Sequence, residues 1–245
     1  MKNSKEYSQK IQKLFRNLKR EYGKVEDPSH GTVVEALIYA VIAEKLTESE
    51  TDKSLKNIAK TFVDFNDLRV SLTEEIVENL GGDSKTNYQL ALTLRTCLGY
   101  IFKKFHKLNL EQLLGIGKRE ARAKLEKLEG VTPFVVDYCF LTVIGGHAIP
   151  LTDRMIEYMR DNDLVYENSE RADIDGFLVR QITAKDGYTF YSLLRKESEK
   201  GLLKKKEKQA DTEKEKTTKK KTAPSSEKSS TKSKTKKKTT RKNTA

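Results

Sequence analysis

Apolar side chains recur along this chain at three- and four-residue spacing, the repeat of an amphipathic helix, and no run of strict alternation suggests a strand. Residues 5–22 place Ile11, Leu14, Phe15 and Leu18 on one face of an otherwise charged helix. Over residues 33–46 the pattern changes. Val34, Leu37, Ile38, Val41 and Ile42 leave little polar circumference, which predicts a buried helix at the core of the fold. Further helices are predicted over residues 51–62, carrying Leu55, Ile58 and Phe62, and from Ser71 or Thr73, where Glu74 and Glu75 suit the positive end of a helix dipole. Gly81-Gly82 stops that helix, and residues 85–105 form a long one with Leu90, Leu94, Leu98, Ile101 and Phe102. Short helices at 110–115 and 119–128 follow, then 134–144 closed by Gly145-Gly146, then 153–160, 175–182 and a last one over 189–200. The expected fold class is all-α over residues 1–200, with no internal repeat.

At about residue 200 the pattern ends and the charge changes. The chain carries 48 basic and 36 acidic side chains, of which 17 and 5 fall in residues 201–245, so the whole net charge of +12 lies there and residues 1–200 hold 31 of each sign. The runs Lys219-Lys220-Lys221 and Lys232 through Lys236-Lys237-Lys238 to Arg241-Lys242 are spaced by Thr, Ser and Ala, with Pro224 between them. Almost nothing in this segment can be buried to offset the entropy of ordering it, so a disordered lysine-rich tail is expected. It resembles the basic tails of linker histones and bacterial histone-like proteins, which implies binding to phosphates by counterion release with little sequence preference. The alternative is a solubilising tail. No amphipathic apolar face or lipidation signal accompanies the charge, which argues against a membrane partner.

Cys97 and Cys139 sit within apolar helical patterns as small core residues, which fits a reducing compartment. The first residues lack an export core, and the apolar stretch 134–144 is broken by Asp137 and too short to span a bilayer. The expectation is a soluble intracellular protein of cytoplasm, nucleoid or nucleus. Three His and two Cys without clustering leave no zinc or iron–sulfur site, and His106 and His147 read as isolated surface or loop residues. With no Walker motif, dinucleotide fingerprint or nucleophile elbow, neither a metal nor a small-molecule cofactor is expected. Tyr188, Phe190 and Tyr191 read as the stripe of a core-packing helix, with base stacking as the alternative. Oligomeric state is left open by the sequence.

Chemistry concentrates in residues 128–160. Leu128-Glu129-Gly130-Val131-Thr132-Pro133-Phe134-Val135 leads into an apolar helix, Gly145-Gly146 follows, and His147-Ala148-Ile149-Pro150-Leu151-Thr152-Asp153-Arg154 opens another. This resembles the helix-hairpin-helix and following Asp loop of the endonuclease III-like superfamily of DNA glycosylases, and Asp153, 23 residues after Gly130, suits that arrangement. Upstream, Glu35-Ala36-Leu37-Ile38-Tyr39-Ala40-Val41-Ile42-Ala43-Glu44 is similar to the helix preceding that family's base pocket. The resemblance covers most of residues 30–195. It implies a two-lobed DNA glycosylase fold acting on double-stranded DNA, damaged duplex included, in base-excision repair. It also implies a phosphate site on the backbone of Gly130, Val131 and Thr132, a catalytic Asp153 that stabilises cationic sugar, and a pocket position at Glu44.

Departures from the family pattern qualify these expectations. Thr132 replaces the second hairpin glycine, and Phe134 stands where bifunctional members carry a Schiff-base lysine, so β-lyase chemistry is not expected and a monofunctional glycosylase remains. Glu44 places a carboxylate where a polar pocket residue is usual. The four-cysteine iron–sulfur segment is absent. Thr132, Phe134 and Glu44 equally suit a non-catalytic nucleoid-associated or damage-sensing DNA binder, and Asp153 could simply cap its helix. Leu114-Gly115-Ile116-Gly117-Lys118-Arg119 is a cleaner hairpin signature, but it lies 38 residues before Asp153, so the spacing favours Gly130.

Overall fold

Thr32 opens the central element of the fold by accepting a hydrogen bond from Glu35 N, while the Glu35 carboxylate accepts from Gly31 N at 2.7 Å. In the computed structural model, which describes residues 4–200, this helix is α2 (Val33–Ala43), preceded by α1 (Ser4–Tyr22). Nine of the eleven α2 residues are buried, as its nearly all-apolar circumference requires. It packs against α3 (Glu48–Thr61), α6 (Lys85–Phe105) and α8 (Pro133–Thr142). On one side of it α4 (Phe65–Val70) and α5 (Thr73–Asn79) lie on α6, with α3 on α5. On the other side α7 (Lys118–Leu125) packs on α8, followed by α9 (Asp153–Asp161), α10 (Arg171–Gln181) and α11 (residues 187–200). α1 covers α10, and the Phe15 and Phe190 rings meet edge to face at 5.3 Å. Two 3₁₀ turns, Glu111–Leu113 and Ala184–Asp186, complete the described residues, which contain no strand.

Local chemistry sets the boundaries. Thr47 and Glu50 form a reciprocal capping box that starts α3 three residues before the sequence expectation. Gly81 and Gly82, at φ +109° and +100°, turn the chain after α5, and Ser84 then caps α6 through Asn87 N. α11 is tied to the corner between α2 and α3. The buried Arg195 guanidinium donates to Leu46 O at 3.1 Å, Tyr191 Oη at 2.9 Å and the Glu199 carboxylate at 2.9 Å. Glu199 in turn accepts from Glu48 N, placing a negative charge at the dipole-positive end of α3.

Several sequence expectations are corrected. The segment 110–115 is a single 3₁₀ turn, α7 spans Lys118–Leu125 rather than 119–128, and α10 starts at Arg171. α4 was not expected; it is six residues long with only Leu68 buried, too short to show a helical repeat. Tyr188, Phe190 and Tyr191 do pack inward as a stripe, Phe190 and Tyr191 buried and Tyr188 half-buried. Cys97 and Cys139 are buried thiols, and burial pushes both up to about 12, so neither is a thiolate at neutral pH. Lys219, Lys220, Lys221, Lys236, Lys237, Lys238, Arg241 and Lys242 lie outside the described residues.

Candidate functional site

The hairpin lies between α7 and α8. Leu128 N closes on Leu125 O at 3.0 Å, and Gly130 then adopts φ +77°, a left-handed conformation that glycine enters without strain. A Cβ at Gly130 would meet Cys97 Sγ at 3.0 Å, so the turn lies directly on α6. Thr132 accepts from Val135 N to cap α8, and Pro133 occupies the first helical position, where its missing N–H costs nothing. Gly115 and Gly117, by contrast, have no left-handed conformation, and Gly117 merely precedes α7. Of the two glycine segments, the left-handed turn is the one at Gly130.

From the hairpin a continuous chain of polar contacts crosses three elements. Thr132 Oγ1 donates to Glu44 Oε2 at 2.8 Å; Glu44 Oε1 lies 3.3 Å from Lys45 Nζ; Lys45 Nζ lies 3.5 Å from Asp153 Oδ2; and Arg171 Nη2 donates to Asp153 Oδ1 at 2.6 Å. Arg154 Nη2 fastens α9 to the end of α2 through Lys45 O at 2.6 Å, and Arg171 also donates to Leu151 O. Glu44, Lys45, Gly130 and Thr132, with Gln89 and Thr93 of α6, line a cleft of about 420 Å³.

Asp153 stands at the first position of α9, and the residue that caps the helix, through Met155 N, is the buried Thr152. Capping thus belongs to Thr152 and leaves the Asp153 carboxylate with its side chain 68 % exposed. Partial burial pushes the Asp153 carboxyl up, but Lys45 and Arg171 outweigh it and hold the group below its ordinary value. It is an ionised carboxylate between two cations.

Phe134 is buried, with Tyr138 and Tyr191 at 6.2 Å between centroids, so α8 offers no amine to the cleft. Behind it Tyr39 stacks on Tyr138 at 5.1 Å, and His30 Nε2 pairs with Tyr138 Oη at 2.9 Å. Burial lowers the His30 imidazole and raises the phenols of Tyr39 and Tyr138, so this interior stays neutral. Of the isolated histidines, His106 is an exposed left-handed cap at φ 56°, while His147 is half-buried with Nε2 enclosed and unpartnered. Among the described residues no group of three or more His, Cys, Asp or Glu could hold a metal ion.

The structure thus brings together Asp153, Glu44, Gly130 and Thr132, and Val131 sits half-buried in the same turn. Sequence reasoning missed Lys45, Thr152, Arg154 and Arg171. Lys45 directly follows the helix quoted above and could have been found by extending it one residue. Arg171 lies 18 positions beyond Asp153 with no motif to mark it.

No protein-family model matches the sequence, and no curated protein does. Solved structures do. An endonuclease III trapped as a covalent intermediate with DNA superposes with a TM-score of 0.60 at 14 % identity, covering 77 % of this chain and 84 % of that one. The 8-oxoguanine glycosylase/lyase of Clostridium acetobutylicum, in complex with double-stranded DNA, gives 0.59 at 17 %, covering 82 % and 71 %. The 3-methyladenine DNA glycosylase of H. pylori bound to 1,N6-ethenoadenine gives 0.57 at 16 %, covering 81 % and 98 %. The chain has the all-helical fold of the endonuclease III-like DNA glycosylases. At these identities the likeness is one of fold, and what the cleft does must be argued from its own residues.

Proposed function

We propose that this protein binds double-stranded DNA across the Gly130 hairpin and hydrolyses a base–sugar bond at the adjoining cleft, as a monofunctional DNA glycosylase of base-excision repair. The observation that carries this reading is the continuous polar chain from Thr132 through Glu44 and Lys45, which line the cleft, to Asp153 and Arg171. Backbone N–H groups of a glycine turn and a helix start suit a phosphate, and Lys45, Arg154 and Arg171 add cations beside it. A nucleotide turned out of the duplex there meets Asp153. The bond to be broken leaves positive charge on the sugar, and an ionised carboxylate held between cations is preorganised to stabilise that charge without being protonated first. Water is then the nucleophile, since Phe134 supplies no amine for a Schiff base.

One observation favours a second reading, a non-catalytic damage-sensing binder. Glu44 takes the Thr132 hydroxyl and Lys45 neutralises Asp153, so both acids of the cleft are already engaged. A single-turnover assay of abasic-site formation decides between the two, on duplexes bearing uracil, alkylated, oxidised or mismatched bases. Glycosylase action requires excision of at least one base, with Asp153→Asn slowing it by about 100-fold or more at nearly unchanged duplex affinity. No product from any substrate, with duplex binding intact, establishes the binder instead.

A further inference from the structure

The hairpin turn leans on α6 between two concave surfaces. Toward the start of α6, Gln89, Leu92 and Thr93 line the cleft shared with Glu44 and Thr132; beyond Gly130, Arg95, Thr96, Gly99, Tyr100, Lys103 and Lys104 line a second groove of about 600 Å³ together with Glu129. The two surfaces share no lining residue.

Gly99 leaves the groove open. A glycine inside a helix is disfavoured relative to alanine, and no turn or positive φ calls for one at this position. A Cβ placed there would meet nothing within 4 Å. Beside this opening is the half-buried ring of Tyr100, with Lys104 Nζ 5.4 Å from its centroid. Arg95 is fixed by donating to Thr73 Oγ1 at 2.7 Å, while its Nε is enclosed without a partner. Among the described residues no carboxylate lies within ion-pair distance of Arg95, Lys103 or Lys104, although the chain elsewhere pairs lysines and arginines freely. Three cations outweighing the single carboxylate of Glu129 around an aromatic wall match alternating phosphates and flat bases. An acidic peptide would match the charge but not the ring.

We infer that this groove holds a single-stranded stretch of DNA, one base laid against Tyr100 and the flanking phosphates on Arg95, Lys103 and Lys104. The inference rests on the reading that the hairpin face binds DNA, because a strand leaving the cleft past Gly130 runs onto this part of α6. It assigns the protein a second strand-binding site outside the cleft, suited to duplex that is opened or frayed near the target.

The test uses the full chain and an oligothymidylate about 12 nucleotides long carrying one 5-iodouracil, the length suiting one short strand-binding site. After irradiation the crosslinked peptide is mapped by mass spectrometry, and affinity for a blunt duplex is measured in parallel. Gly99→Glu puts a carboxylate into the groove against its cations without removing any contact, and Gly99→Ala controls for the backbone. The expected result is a crosslink on Tyr100 that falls about tenfold in Gly99→Glu, persists in Gly99→Ala, and leaves blunt-duplex affinity equal in all three proteins. Crosslinks confined to residues 201–245 or to the hairpin overturn the groove, as does a Tyr100 crosslink indifferent to Gly99→Glu. Protection of Tyr100 by poly-glutamate but not by the oligonucleotide overturns it too and gives the groove to an acidic protein. Intact duplex binding with no Tyr100 crosslink removes this inference alone, whereas loss of all DNA binding removes the proposed function with it.

Discussion

Asp175 is the carboxylate whose surroundings suit it least. Its Oδ1 is enclosed with no hydrogen-bond partner; burial and the nearby Asp137 push its carboxyl up to about 6, and Arg171 and Arg122 offset only part of this. Asp137 fares better, for although burial raises it, it holds an ion pair to Arg122 at 2.6 Å. Because the folded chain holds the Asp175 proton more tightly than the unfolded one, the protonated acid costs nothing below about pH 4. The cost grows as pH rises through 6 and is complete above it. Allowing for the solvent that still reaches this side chain, it comes to about 1–2 kcal/mol. Asp175→Asn should therefore stabilise the fold by about 1 kcal/mol at pH 7 and not at all at pH 4, read from urea midpoints at the two pH values. Equal effects at both would mean that the carboxylate is solvated after all.

At the scale of an element, α8 shows what the residue pattern could and could not disclose. Gly130 was legible as a turn, whereas the Thr132 cap and the first-turn Pro133 went unread, the helix being expected only from residue 134. Gly81-Gly82 and the all-apolar α2 were legible for similar reasons. Lys45 and Arg171 were not, because their place in the site depends on how the end of α2 and the start of α10 converge on α9, which no local periodicity encodes. The same distinction governs Phe134. In the sequence it occupies a lysine's place; in the fold it is 1 % exposed and packed among tyrosines. Phe134→Lys should therefore bury an unpaired ammonium, lower stability by about 3 kcal/mol or more, and confer no strand cleavage. Thermal denaturation with borohydride trapping on an abasic duplex measures both. Efficient trapping at an unchanged melting temperature would show that α8 can present an amine to the cleft.

Over the whole chain, the net positive charge is confined to one segment. Residues 1–200 are electrically balanced, so a polyanion meets local groups of cations there, such as Lys45 with Arg154 and Arg171 around Asp153 and Arg95 with Lys103 and Lys104 along α6. Residues 201–245 carry 17 basic side chains against 5 acidic, a charge density suited to duplex of any sequence. If about half of those cations reach phosphates, the logarithm of affinity falls with the logarithm of salt at a slope of roughly −10 for the full chain, about −8 of it from this segment. A chain ending at Lys200, the last described residue, should keep a slope of only about −2 to −3 from the cations beside the hairpin. Fluorescence anisotropy of a labelled duplex titrated across a severalfold range of salt gives both slopes. Single-turnover excision at saturating protein should be the same in the two chains, because Asp153 and its partners all lie within the retained residues. A truncated chain that keeps the steep slope would place the affinity on the helical body, and one that binds duplex equally weakly but loses turnover would place part of the chemistry in the lysine-rich segment.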